Sequence, residues 1–208
     1  MPKYYPININ LENTECLVIG GGNVAERKVV TLLSYDAKVT LISPEVTPKL
    51  KEMVVRGNII YKERFYKKGD CRGMRVVIVA TDSDQLNRKV AEEAMSLNCL
   101  VNVVDQPHLC NFIVPATHRQ GDLQISISTN GKSPALARRI REKLEEEFGP
   151  EYAEFLTIVD KVRKKALSTI PDPVKRRALF YRLVDSDLIQ LIKEGKEQEI
   201  QKRLEGLY

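Results

Sequence analysis

Apolar and polar positions change period several times along the chain, and the changes mark out its elements. Glu15 to Ile19 is a short apolar run that breaks at Gly20-Gly21-Gly22, after which Val24, Ala25, Val29, Leu32 and Leu33 are spaced for one face of a helix. Lys38 to Ile42 is rich in β-formers. Thr47-Pro48 opens a second helix with proline at its first position, and Ile59 to Lys62 predicts a third strand. Arg75 to Ala80 is an apolar run of the kind buried on both faces of a parallel sheet, Gln85 to Leu97 a helix, and Leu100 to Val104 a returning strand. Five strands alternating with helices predict an α/β fold with a doubly wound parallel sheet. Ahead of it, Tyr4 to Leu11 alternates at Ile7, Ile9 and Leu11, which predicts a short edge strand.

After Asp105 the alternation stops. Phe112 to Val114 reads as a short apolar strand, and Leu123 to Thr129 alternates as a half-exposed one. Asn130 to Pro134 then turns into a helix over Ala135 to Phe148, with Ser133 as its cap and Pro134 at the first position. Gly149-Pro150 ends that helix, and Glu151 to Leu167, Arg176 to Val184 and Asp187 to Leu204 are helical by pattern. The chain divides on this reading into residues 1–113, 114–149 and 150–208.

Composition narrows the class. The 208 residues are 43% hydrophobic, which supports one substantial core and a smaller accessory region. No stretch approaches the roughly 20 apolar residues of a membrane span, and Met1 to Asn10 has no signal-like apolar run, so the expectation is a cytoplasmic protein. Cys16, Cys71, Cys99 and Cys110 show no C-x-x-C pairing and read as reduced, structural thiols. The net charge of +5 gathers at Lys161 to Lys165 and Lys175 to Arg177, a pattern that suits a polyanionic ligand and solvated helix faces equally. No recognition helix, RNA-binding aromatic pattern or zinc spacing points to nucleic acid.

The three glycines carry the clearest chemistry. In Gly20-x-Gly22-x-x-Ala25, Gly20 allows a tight turn out of the strand, Gly22 lets backbone approach a pyrophosphate, and Ala25 lets the helix pack closely. The amides at the start of the helix then face the phosphates. An acidic residue that holds ribose hydroxyls belongs at the end of the second strand, where Ser43, Pro44 and Glu45 stand, so Glu45 or backbone groups take that place. With no arginine following directly to meet a 2′-phosphate, NAD is expected over NADP.

Taken in order, V-I-G-G-G-N-V-A-E-R-K, A-T-D, V-N-V-V-D-Q-P, F-I-V-P-A and G-K-S-P-A-L-A-R-R-I-R-E-K-L-E resemble the precorrin-2 dehydrogenase and sirohydrochlorin ferrochelatase family, the dehydrogenase module of siroheme synthases. That resemblance implies a Rossmann sheet, then a dimerisation segment over residues 114–149 and a C-terminal helical domain. The implied activity is hydride transfer from precorrin-2 to NAD, giving sirohydrochlorin, with iron insertion in some members. The cofactor would lie over Gly20, Gly22, Asn23, Val24, Pro44 and Glu45, with Thr81 after the fourth strand. The aspartate of N-V-V-D would be Asp105, as the catalytic residue of a homodimer.

An aspartate directly after the fifth strand is placed to meet the crevice where open α/β sheets bind ligands, and a carboxylate there is a plausible base. Opening an Asp-x-Pro turn is its other reading. Precorrin-2 carries carboxylates around its ring, so Lys132, Arg138, Arg139, Arg141 and Arg119 are candidate partners, together with the hydroxyls of Thr129 and Ser133. Thr129 stands where the family has serine. Asp105, His108 and Cys110 form D-x-x-H-x-C, but the spacing matches no structural zinc pattern, and His108 and His118 read as surface residues, so no resident metal is expected. The residues leave iron insertion open. They also leave open a regulatory domain that senses NAD without chemistry, since fold alone does not fix function.

Overall fold

The computed structural model describes residues 4–206, and the chain forms two compact units, Met1–Val114 and Pro115–Tyr208. In the first, β1 (Glu15–Ile19), β2 (Lys38–Ser43), β3 (Ile60–Glu63), β4 (Val76–Val79) and β5 (Leu100–Val103) form one sheet in the order β3-β2-β1-β4-β5. Every pairing is parallel, and the chain order reverses direction between β1 and β4.

Strand β4, and β1 from Cys16 onward, are apolar and buried because both of their faces are covered. Cys16, Val18, Val76 and Ile78 point to the face where α1 (Asn23–Leu33) lays Ala25, Val29 and Leu32, and α2 (Pro48–Val55) lays Leu50. Leu17, Ile19, Val77 and Val79 point the other way, toward Val90, Ala91 and Ala94 of α3 (Asp84–Ser96). Burial pushes the Cys16 and Cys71 thiols up to about 11, so both act as small apolar fillers rather than nucleophiles.

Two expected strands are not strands. Tyr4 to Leu11 is irregular: Pro6 has no N–H to give a ladder, and the Asn10 side chain accepts from the Glu12 amide at 2.9 Å, turning the chain before β1. Ile9 and Leu11 are only partly buried there. Phe112 to Val114 is irregular as well, because the edge of β5 is satisfied by a side chain. The Asn111 amide accepts from Val101 N at 2.8 Å and donates to Cys99 O at 2.8 Å, standing in for a sixth strand.

The second unit opens with the antiparallel pair β6 (Ala116–Gln120) and β7 (Leu123–Ile127). Five helices follow: α4 (Pro134–Glu147), α5 (Glu151–Thr169), α6 (Pro173–Val184), α7 (Leu188–Lys193) and α8 (Glu197–Glu205). Helix α6 starts before Arg176 because Asp172 caps it, accepting from Val174 N at 2.8 Å. A single helix over Asp187 to Leu204 is not formed. Gly195 at φ +68° closes α7 instead, with the Lys196 amide returning to Leu191 O at 3.0 Å. Phe155, Val162, Ala166, Leu179, Leu183, Leu188 and Leu191 make the core of these helices. No helix among the described residues is long and apolar enough to cross a membrane.

Candidate functional site

At the carboxyl ends of β1, β2 and β4 the first unit carries a cavity of about 660 Å³ at the point where strand order reverses. This is where ligands bind in open α/β sheets. Ile19, Ile42, Ala80 and Leu86 supply apolar lining, and Glu45 and Asp82 supply carboxylates. All of Gly20, Gly22, Asn23, Val24, Pro44, Glu45 and Thr81 line this one cavity.

The three glycines differ in what they do. Gly20 sits at φ +109°, and a Cβ there would lie 2.1 Å from the Ala80 carbonyl oxygen, so the turn out of β1 admits no side chain. A Cβ on Gly21 would lie 1.8 Å from the Glu45 carbonyl oxygen, which makes the middle glycine the one that lets the β2 loop close on the turn. Gly22 is different. It has φ −81°, and a Cβ built on it meets nothing within 4 Å. Since Gly22 lines the cavity, what its missing side chain leaves free is room for a ligand.

Gly22 is also the N-cap of α1, and no side chain caps that helix end. By contrast Thr47 caps α2 at 3.2 Å and Ser83 caps α3 at 3.4 Å. The first amides of α1 therefore lack acceptors within the helix and face a cavity, a natural seat for an anion. Glu26 in the first turn is engaged, receiving the Thr47 hydroxyl at 2.7 Å and the Lys49 ammonium at 3.5 Å. A pyrophosphate-linked dinucleotide fits this arrangement: anion seat, Cβ-free approach and apolar lining belong to one cavity.

Thr81 is fixed by a residue that sequence reasoning missed. Its hydroxyl donates to Asn87 Oδ1 at 2.6 Å, and Asn87 Nδ2 returns to Thr81 O at 3.0 Å. Asn87 is buried on the inner face of α3, and a lone amide between Leu86 and Val90 was the available signal. Arg64, Phe65 and Tyr66, just after β3, also line the cavity and were not anticipated. No arginine directly follows β2, as the sequence reading has it, yet one lines the cavity. Arg64 enters from the neighbouring strand, and its guanidinium is engaged by Asp70 at 2.7 and 2.8 Å.

Asp105 follows β5 and is exposed, with φ +59°, a left-handed conformation that aspartate tolerates better than most residues. It does not line the cavity. Its carboxylate has no hydrogen-bond partner among the described residues, but Lys28 of α1 feels its charge. Burial pushes the Lys28 ammonium down, Arg27 adds to that, and Asp105 opposes both.

The remaining members of D-x-x-H-x-C do not converge. His108 is exposed, whereas the Cys110 thiol turns into the β5 edge, 3.2 Å from Val103 N. His118 is no surface residue: it is buried in β6, where its Nε2 lies 2.7 Å from Phe148 O and ties the end of α4 to the hairpin.

In the second unit, Thr129, Lys132 and Ser133 share the loop between β7 and α4. Thr129 Oγ1 accepts from Ser133 N at 3.0 Å, and Ser133 Oγ accepts from Leu136 N at 3.2 Å as the cap of α4. Arg138 is exposed and pairs with Glu142 at 3.1 Å, while Arg141 pairs with Glu145. These pairs are ordinary helix-face contacts.

Comparison with known proteins gives three consecutive family matches. Residues 7–116 match a family described as putative NAD(P)-binding, 120–147 one described as sirohaem biosynthesis protein central, and 151–207 one described as sirohaem synthase dimerisation region. The chain is 37% identical over 202 residues to a siroheme synthase of Thioalkalivibrio sulfidiphilus (strain HL-EbGR7), a match covering 97% of this chain and 41% of the relative. It is 33% identical over 201 residues to a siroheme synthase of Methylococcus capsulatus, covering 97% and 42%. The chain thus spans less than half the length of these curated relatives. A solved structure described as SirC, precorrin-2 dehydrogenase, shares the fold at a TM-score of 0.78 and 24% identity, covering 96% of this chain and 100% of the other.

Proposed function

The chain belongs to the sirohaem synthase family, carrying its NAD(P)-binding part, and on that premise we propose that it oxidises precorrin-2 to sirohydrochlorin with NAD as acceptor. The observation that carries the reading is the uncapped N-terminus of α1, opening without a Cβ at Gly22 onto a cavity at the strand switch. The solved neighbour, described as a precorrin-2 dehydrogenase, agrees with it.

In this reading the bound nicotinamide supplies a hydride acceptor. The protein does the rest. The α1 amides and Gly22 seat the pyrophosphate, Pro44 and Glu45 flank the ribose at the end of β2, and Thr81, locked by Asn87, borders the cavity at the end of β4. Asp105 takes the proton that leaves as the ring is oxidised, its Oδ atoms free of hydrogen bonds among the described residues and Lys28 balancing its charge. NAD is preferred to NADP because Glu45 lines the cavity and the arginine there is already paired. The match to a dimerisation region over 151–207 supports a homodimer; the expected segment over 114–149 is a second candidate for its contacts.

Substituting Asp105→Asn tests the catalytic assignment, because asparagine also tolerates φ +59° and leaves the turn intact. The expected result is NAD affinity within about threefold of native and a dehydrogenation rate lowered at least about 100-fold. A protein that binds NAD but is indifferent to this change would be the sensor instead.

A further inference from the structure

The end of β3 places a cation beside the part of the cavity where dinucleotide cofactors differ. Arg64 lines the cavity together with Ser43, Pro44 and Glu45 from the end of β2. In nucleotide-binding sheets this strand end meets the adenosine ribose, and a nearby arginine is what accommodates a 2′-phosphate. Arg64 is the only lysine or arginine among the described residues lining the cavity, so on position alone it would favour NADP.

Three of its five N–H donors are taken. Nη1 and Nη2 bond the two oxygens of Asp70 at 2.8 and 2.7 Å, and Nη1 also donates to Phe65 O at 2.9 Å. Asp70 is held in turn by the Lys67 amide at 2.8 Å, and its side chain is only 10% exposed. A two-point arginine–carboxylate pair of this kind is both directional and strong. The Arg64 hydrogen bond holds the Asp70 carboxyl below its ordinary range, so the pair keeps its full charge at neutral pH. A phosphate monoester brings about −1.5 to −2 charge. At the end of the Arg64 fork it must displace Asp70, and at the remaining Nε–Nη2 edge it meets a guanidinium whose charge Asp70 already balances, with Glu45 in the same lining.

We propose that Asp70 determines cofactor specificity: by holding Arg64 in a two-point pair, it occupies the end of the guanidinium fork and balances its charge, which weakens its hold on a 2′-phosphate and makes the cavity selective for NAD over NADP. The inference rests on the reading of this cavity as a dinucleotide site.

Calorimetric titration of the full chain with NAD and with NADP tests it without turnover. The native protein should bind NAD at least tenfold tighter than NADP. In Asp70→Asn the ratio should fall at least fivefold, through tighter NADP binding with NAD little changed, and Arg64→Gln added to Asp70→Asn should remove that gain. Equal shifts for both dinucleotides, or a gain that survives loss of Arg64, would overturn the role of Asp70. A native protein that favours NADP would do so with no variant needed. A native protein that binds neither would remove the cofactor reading along with the inference, whereas normal NAD binding with an unmoved ratio removes the inference alone.

Discussion

Gly20 and Gly22 stand two residues apart in one turn, yet substitution at each should report a different property. An alanine at Gly20 must adopt φ +109° and push its Cβ into the Ala80 carbonyl, so Gly20→Ala should cost about 3 kcal/mol or more and lower the thermal midpoint sharply. Alanine at Gly22 has an ordinary φ of −81° and open space, so Gly22→Ala should melt within a few degrees of native while losing dinucleotide affinity at least tenfold. Equal loss of stability in both would mean that the space at Gly22 serves packing alone. Asp70 gives a second residue-scale test, through pH. Its folded carboxyl is lowered, so the stability of its pair is fully present above the unfolded value near 3.9 and is lost as pH falls through the folded value. The difference in melting temperature between native and Asp70→Asn should be constant from pH 5 to 7 and shrink below about pH 4. A difference that grows on acidification would contradict the pairing.

Among the elements, legibility followed burial. Strands β1 and β4 were readable because burial on both faces forces unbroken apolar runs, and α1 because Ala25, Val29 and Leu32 repeat at helical spacing. Strand β6 was not, since A-T-H-R-Q has no apolar alternation and becomes a strand only by pairing with β7. Asn111 replacing a strand at the β5 edge is a tertiary event with no local period. The site divided similarly. The glycine turn and the ends of β2 and β4 were visible as motif, whereas Arg64, Asp70 and Asn87 matter through partners that periodicity does not register. In the helical unit the fully buried Leu179 anchors α6 in the core with Leu183 and Leu188, so Leu179→Ala should cost about 2–5 kcal/mol. A loss under about 1 kcal/mol by urea unfolding would mean that α6 packs more loosely than it does here.

For the whole molecule, the three matched regions run almost end to end through the chain. The proposed function rests on a single transfer: a hydride leaving precorrin-2 for NAD bound over the glycine turn. The most direct measurement is an anaerobic spectrum of the purified protein with precorrin-2 and NAD, following NADH and the sirohydrochlorin band together. Both should rise in a one-to-one ratio, and neither should rise when NAD is omitted. Tight NAD binding with no sirohydrochlorin formed would contradict the proposed transfer.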